Sequence, residues 1–262
     1  MANIATVIPK EALAFLKAKG LKPGFSYLDI WQAEHTAAFT VAKMLNVDLL
    51  AEVKGLVEAA LESGQTFEQF RNALKPHLVN AGWWGVQTMK DPLDGEEKLV
   101  QLGSEERIKT IYRTNMRTAR AAGQWDRIER TKRVMPYLLY QLGPAREHRP
   151  LHMSWNGVCL PVDDPWWQTH FTPNGWGCHC YVRQVSGVEY DKLNAAKTIS
   201  TTAPEVKYKT WVNKRTGEQT EVPEGIDPGW DYNPGKYRQQ NLDLQLAKKQ
   251  ANFENSANNA QS

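Results

Sequence analysis

The chain has 262 residues, 41% hydrophobic and 23% charged, enough length and apolar content to bury a core of its own. A net charge of +3 does not single out a nucleic-acid binder, and no run approaches the roughly 18 apolar residues of a membrane span. No secretory signal is expected, and three cysteines, an odd number, exclude a disulfide framework and point to a reducing cytoplasm.

In chain order, "KEALAFLKAKG" predicts a helix with Leu13, Phe15 and Leu16 on its apolar side and Gly20 as C-cap. "DIWQAEHTAAFTVAKML" places Ile30, Ala33, Ala37, Ala38, Val41 and Leu45 at helical spacing and predicts a second. A third follows in "VDLLAEVKGLVEAALESG", with Leu49, Val53, Leu56, Val57, Ala60 and Leu61 on one stripe and Gly64 just past its end. Thr66 and Gln69 make a capping box for a fourth, carrying Phe67, Phe70, Leu74 and Leu78, which Pro76 should kink or end. "NAGWWG" and "KDPLDGEE" read as loop.

Ser104, Glu105 and Glu106 open a long helix that runs to about residue 133, relaxed at Gly123, with Ile108, Ile111, Tyr112, Ala119 and Ala122 as its apolar side. Residues 104–133 hold nine Lys/Arg against four Asp/Glu, and Arg113, Arg117, Arg120 and Arg127 lie close together. They are either a solvated face or a contact for phosphate or an acidic partner. "PYLLYQL" is a strand candidate that ends at Gly143-Pro144. "VKYKTWVNKRTGEQTEV" predicts a hairpin turning at Gly217, and "EGIDPGWDYNPGKY" a rigid loop that docks through Trp230 and Tyr232. From Gln239 the polar tail reads as frayed or disordered.

Between Arg146 and Arg183 periodicity gives way to His, Cys, Trp, Pro and Gly. Trp155, Trp166, Trp167 and Trp176 suit either an interface or a core that uses indoles as filler. Zinc favours the donor types of His148, His152, Cys159, His170, Cys178, His179 and Cys180. The most economical Zn2+ site uses His152, Cys178 and Cys180, with Cys159 or His170 as fourth ligand. The other reading is buried thiols beside a hydrogen-bonded histidine. No hydrolase or nucleotide-binding motif occurs. A one-metal nuclease built from His148 or His152 with Asn156 or Asn174 is a third reading. Asp163 and Asp164 before Pro165 fit turn chemistry.

"REHRPLHMSWNGVCLPVDDPWW" followed by "PNGWGCHC" closely resembles the signature of the phage Mu F-like minor head proteins, the phage head morphogenesis family. The match falls on Arg149, Pro150, His152, Gly157, Asp163, Asp164, Pro165, Trp167, Pro173, Asn174, Gly175, Trp176, Cys178 and Cys180. "AFTVAK", "GWWG", "YRTNMRTARAAGQW", "PYLLY" and "GIDPGWDYNPG" extend it over nearly the whole chain. His179 stands where the family has arginine, and Cys159 where it has no cysteine.

The resemblance implies a minor head protein recruited during procapsid assembly. Its partners would be the portal and other phage head proteins, and packaged DNA. Its place would be the host bacterial cytoplasm during assembly, then the phage head. No membrane contact and no enzymatic activity are expected. Some relatives carry C-terminal toxin domains, and none is expected where the chain ends soon after "DYNPG". The expected fold is α+β, with a long central helix packed on a small turn-rich β region. Its divisions are an N-terminal helical region (1–100), the head morphogenesis core (101–190), a hairpin and Pro-Gly loop (191–238), and the tail (239–262).

Overall fold

The computed structural model describes residues 10–238 and 240 of the chain. Helix α1 (Lys10–Lys17) buries Ala12, Phe15 and Leu16. It stops short of its expected cap, because Gly20 and Leu21 leave it as β1 (Gly20–Leu21) to pair in parallel with β2 (Ala38–Phe39). The helix expected over 29–45 does not form. Asp29 accepts the backbone N–H of Phe25 and of Ser26 (2.7 Å each), Glu34 accepts that of Trp31, and these caps close two short 3-10 turns, Tyr27–Asp29 and Gln32–Thr36. Beyond them the carbonyls are taken by distant donors, Phe39 by the Lys22 N–H and Lys43 by the Trp83 indole.

Helices α2 (Val47–Glu62) and α3 (Phe67–Asn80) have the expected stripes, and the Thr66–Gln69 capping box is present. Pro76 does not end α3. It lies on the exposed side with Asn72, whose carbonyl it cannot serve, while Phe70, Leu74 and Leu78 anchor the buried side. The stretch read as loop is the turn of a hairpin, β3 (Val86–Lys90) with β4 (Glu97–Gln101).

Helix α4 (Glu105–Thr131) is capped by Ser104, whose hydroxyl accepts the Arg107 N–H at 3.2 Å. Ile108, Ile111, Met116, Ala119 and Ala122 join the core made by α1–α3; Ala121, Trp125 and Ile128 join a second, tryptophan-rich core. Gly123 does not relax the helix. It lets α1 cross closely: a Cβ there would lie 2.6 Å from the Ala12 backbone nitrogen.

The second core packs on a three-stranded antiparallel sheet. It runs β6 (Cys159–Pro161), β5 (Tyr137–Gln141), β7 (Tyr181–Val185), with α5 (Pro150–Trp155) and α6 (Trp167–His170) in the connections. Strand alternation divides the side chains. Leu138, Tyr140 and Leu160 face α4, whereas Leu139, Cys159 and Val185 face Tyr190 and Leu193 of α7 (Gly187–Ala195). The predicted hairpin is β8 (Tyr208–Val212) with β9 (Gln219–Pro223), turning at Gly217 (φ 75°). It docks back onto the N-terminal turns, Trp211 stacking on Trp31 at 4.8 Å. The following loop buries Trp230, Tyr232 and Asn233. The tail lies outside the described residues, Gln240 excepted. The expected α+β class is present.

Candidate metal centre and docking cleft

The signature residues are consumed in internal contacts. Arg149, just before α5, donates to Asp227 Oδ2 (2.8 Å), to the Trp176 carbonyl (3.2 Å) and to the Asn174 carbonyl (3.4 Å). Asp227 Oδ2 also accepts the Trp176 N–H at 2.8 Å. Gly175 sits inside this knot, where a Cβ would run into both the Arg149 guanidinium and the Asp227 carboxylate. Asn174 accepts the Tyr140 hydroxyl at 3.1 Å. Asp164 accepts the Trp166 N–H, an Asx turn, and Asp163 pairs with Lys132. The Trp167 indole donates to the Pro161 carbonyl, and Gly157 takes a positive φ of 89°. Trp155, Trp166 and Trp167 are core; Trp176 is 42% exposed.

Three of the candidate ligands meet. His152 Nδ1 lies 3.4 Å from Cys180 Sγ and 3.8 Å from Cys178 Sγ, all three residues buried and their ligand atoms within 4.8 Å of one another. The other ring nitrogen, Nε2, donates to the Gly225 carbonyl at 2.8 Å, so Nδ1 is the ring nitrogen that faces the sulfurs. The backbone N–H groups of Asn174 and Gly143 stand near Cys178 and Cys180 respectively and favour their charged forms. The Cys180 thiol, donating to Cys178, holds Cys178 down toward thiolate, and the same contact pushes Cys180 up.

Cys159 is not brought to this group. Its register opposite Leu139 turns it to the other face of the sheet, where burial pushes its thiol up to about 11. His170 stacks on Trp166 at 4.3 Å, meets Thr169 through Nδ1, and is brought down to about 4 by burial. Asn156 accepts the Leu142 N–H, so the asparagines of the nuclease reading hold backbone and a tyrosine.

Arg113, Arg117 and Arg120 neighbour one another on α4, the first and last exposed. Half-buried Arg117 sits near Cys178 and Cys180. Arg127 is separated from them, paired with Glu11 at 3.4 Å.

A cleft of about 490 Å3 opens between the 26–43 turns, α4 and the 228–232 loop. Lys19, Lys43 and Arg107 line it with Trp31, Trp176 and Trp230, and among the described residues no carboxylate does. Lys43 and Arg107 spend donors on backbone carbonyls of Phe25, Ala42 and Gln101, and Asp29 and Asp91 act on Lys43 from outside the cleft lining. Burial, with Lys54 nearby, brings the Lys19 ammonium down to about 7. Such a lining favours an anionic group carried on an apolar or aromatic body. Lys19, Lys43 and Arg107 carry no motif, and only the fold brings them together.

Residues 51–183, just over half the chain, match the family described as Phage Mu protein F like protein. The chain is 35% identical to the putative capsid assembly protein F of Escherichia phage Mu, across 90% of this chain and 56% of that protein. It is 33% identical to the Mu-like prophage FluMu F protein of Haemophilus influenzae, across 78% of this chain and 51% of that one. It therefore spans about half the length of these curated relatives. No solved structure matches it. With the signature built into one interlocked knot and the match running from α2 through β7, the chain belongs to the Phage Mu protein F like family.

Proposed function

We propose that this chain is a non-enzymatic head-assembly protein of a Mu-like phage, joining other head proteins, the portal among them, in the assembling head. The 101–190 segment is the morphogenesis core in this reading. The observation that carries it is where the signature goes: Arg149, Asn174, Gly175 and Asp164 are locked in internal hydrogen bonds or close packing, and His152 is buried. A site that turns over substrate needs convergent groups aimed into an open pocket. The neighbouring cleft, cationic and aromatic, suits capture of an acidic segment of a partner head protein. The test is co-purification of the full chain with the portal protein of the same phage. Thr114→Glu, which puts a carboxylate into the cleft from α4, is expected to weaken association by roughly tenfold while the melting temperature holds. No association of the wild-type chain in assembling heads or in vitro defeats the reading.

DNA contact is the second reading, favoured by the neighbouring Arg113, Arg117 and Arg120 on α4. Binding to duplex DNA should then fall steeply with salt, and Arg113→Ala with Arg120→Ala should flatten the log–log slope by about 2. No binding at low salt rejects it.

A further inference from the structure

We propose that His152, Cys178 and Cys180 form a Cys2His site for one zinc ion, which pins α5, the Cys-His-Cys turn and the 224–227 loop together. The proposal goes beyond head assembly and does not depend on it. Tetrahedral zinc with Zn–S of about 2.3 Å and Zn–N of about 2.0 Å sets nitrogen and sulfur about 3.5 Å apart. The observed 3.4 and 3.8 Å bracket that spacing.

Two features suit a metal better than a pair of idle thiols. First, the histidine is oriented from behind. The Gly225 carbonyl takes the Nε2 proton, fixing the tautomer that presents Nδ1 as a ligand, the arrangement that metal-binding histidines use. Second, a backbone N–H stands near each sulfur, that of Asn174 by Cys178 and that of Gly143 by Cys180. Amide donors favour sulfur that carries negative charge, as a ligating thiolate does. Gly143 can approach because it has no Cβ: one there would collide with the His179 carbonyl. Thiol-rich ligation selects zinc over magnesium or calcium. Binding displaces whatever protons the two thiols still carry, so two thiolates neutralise the ion inside the core. Among the described residues no other His, Cys, Asp or Glu joins the group, so the chain's own contribution is these three ligands.

The rival occupant of the same geometry is a Cys178–Cys180 disulfide. The test uses the full chain, purified in reductant without chelator, with zinc measured by mass spectrometry. Wild type and Cys159→Ser should each carry about one zinc per chain, and Cys180→Ser should carry at least roughly tenfold less. Cobalt(II) added to the metal-free wild type gives a second readout that needs no variant: thiolate-to-cobalt absorption in the near ultraviolet with tetrahedral visible bands. Chelation should lower the melting temperature of the wild type and of Cys159→Ser. Absence of both zinc and the cobalt bands overturns the proposal. So does a disulfide found by mass in the protein as purified, or full zinc occupancy in a folded Cys180→Ser.

Discussion

Arg215→Met is expected to lower stability by roughly 3 kcal/mol and the melting temperature by roughly 6–12 °C, at a position far from the signature. Asp91 is fully buried. Its carboxylate is held by the two terminal nitrogens of Arg215 (2.7 and 3.0 Å), by Lys98 Nζ (2.8 Å) and by the Leu93 N–H (3.0 Å). The remaining guanidinium nitrogen, Nε, meets Asp29 at 2.6 Å, and Asp29 itself caps the turn at Phe25–Ser26. One side chain thus ties together the β3–β4 turn, the N-terminal turns and the β8–β9 turn. Methionine keeps the stem and removes the fork, leaving a buried carboxylate with Lys98 as its remaining cation. Arg215→Lys restores the charge without the bidentate geometry and should recover less than half of the loss.

Acid pH gives the same network a second signature. Hydrogen bonding from Arg215 holds the Asp91 carboxyl well below the usual carboxylate range. A depressed folded value means the stabilisation is complete above the unfolded value of about 3.9 and is lost as pH falls toward the folded one. The gap between wild type and Arg215→Met should therefore be widest at neutral pH and narrow below about pH 4. Urea melts at pH 7 and pH 3.5 measure both effects. Coincident melts at pH 7 would remove Arg215 as the tie between these turns.

What the sequence made legible was local. The α2 and α3 stripes and the Thr66–Gln69 box depend on neighbours within four residues, and both survived folding. Residues 29–45 carried a helical spacing too, yet Asp29, Glu34 and distant donors to Phe39 and Lys43 claimed the backbone instead. The β3–β4 hairpin escaped because its strands are largely exposed, Leu99 by 75%, so no apolar alternation marks them. Residue type alone nominated His152, Cys178 and Cys180. Excluding Cys159 required a strand register, and the Gly225, Asn174 and Gly143 backbone contacts have no side-chain signal at all. The tie through Asp91 and Arg215 spans 124 residues, beyond the reach of any periodicity.

Gly175→Ala should act as strongly as Arg215→Met, by a different route, and Gly177→Ala two residues on is its control. Gly177 has a positive φ of 68° and open space around its Cβ position, so alanine there meets backbone strain alone, about 1 kcal/mol. Gly175 lacks that strain and lacks room: a Cβ would stand 2.7 Å from Asp227 Cγ and closer still to Arg149 Nη1 and Asp227 Oδ2. Relief requires the ion pair to part, which also frees the Trp176 N–H from Asp227 and the Trp176 carbonyl from Arg149. Overpacking together with a broken, half-buried pair amounts to about 3 kcal/mol. The loss should reach the cleft, because Trp176 leaves this knot to meet Trp230 edge-on at 5.0 Å and line the cleft wall. Thermal melts should order wild type above Gly177→Ala above Gly175→Ala, and partner capture should fail in Gly175→Ala at temperatures where Gly177→Ala still binds. If Gly175→Ala melts with the wild type, the Arg149–Asp227 knot is not what fixes the signature segment, and the case for a rigid docking scaffold loses its mechanical basis.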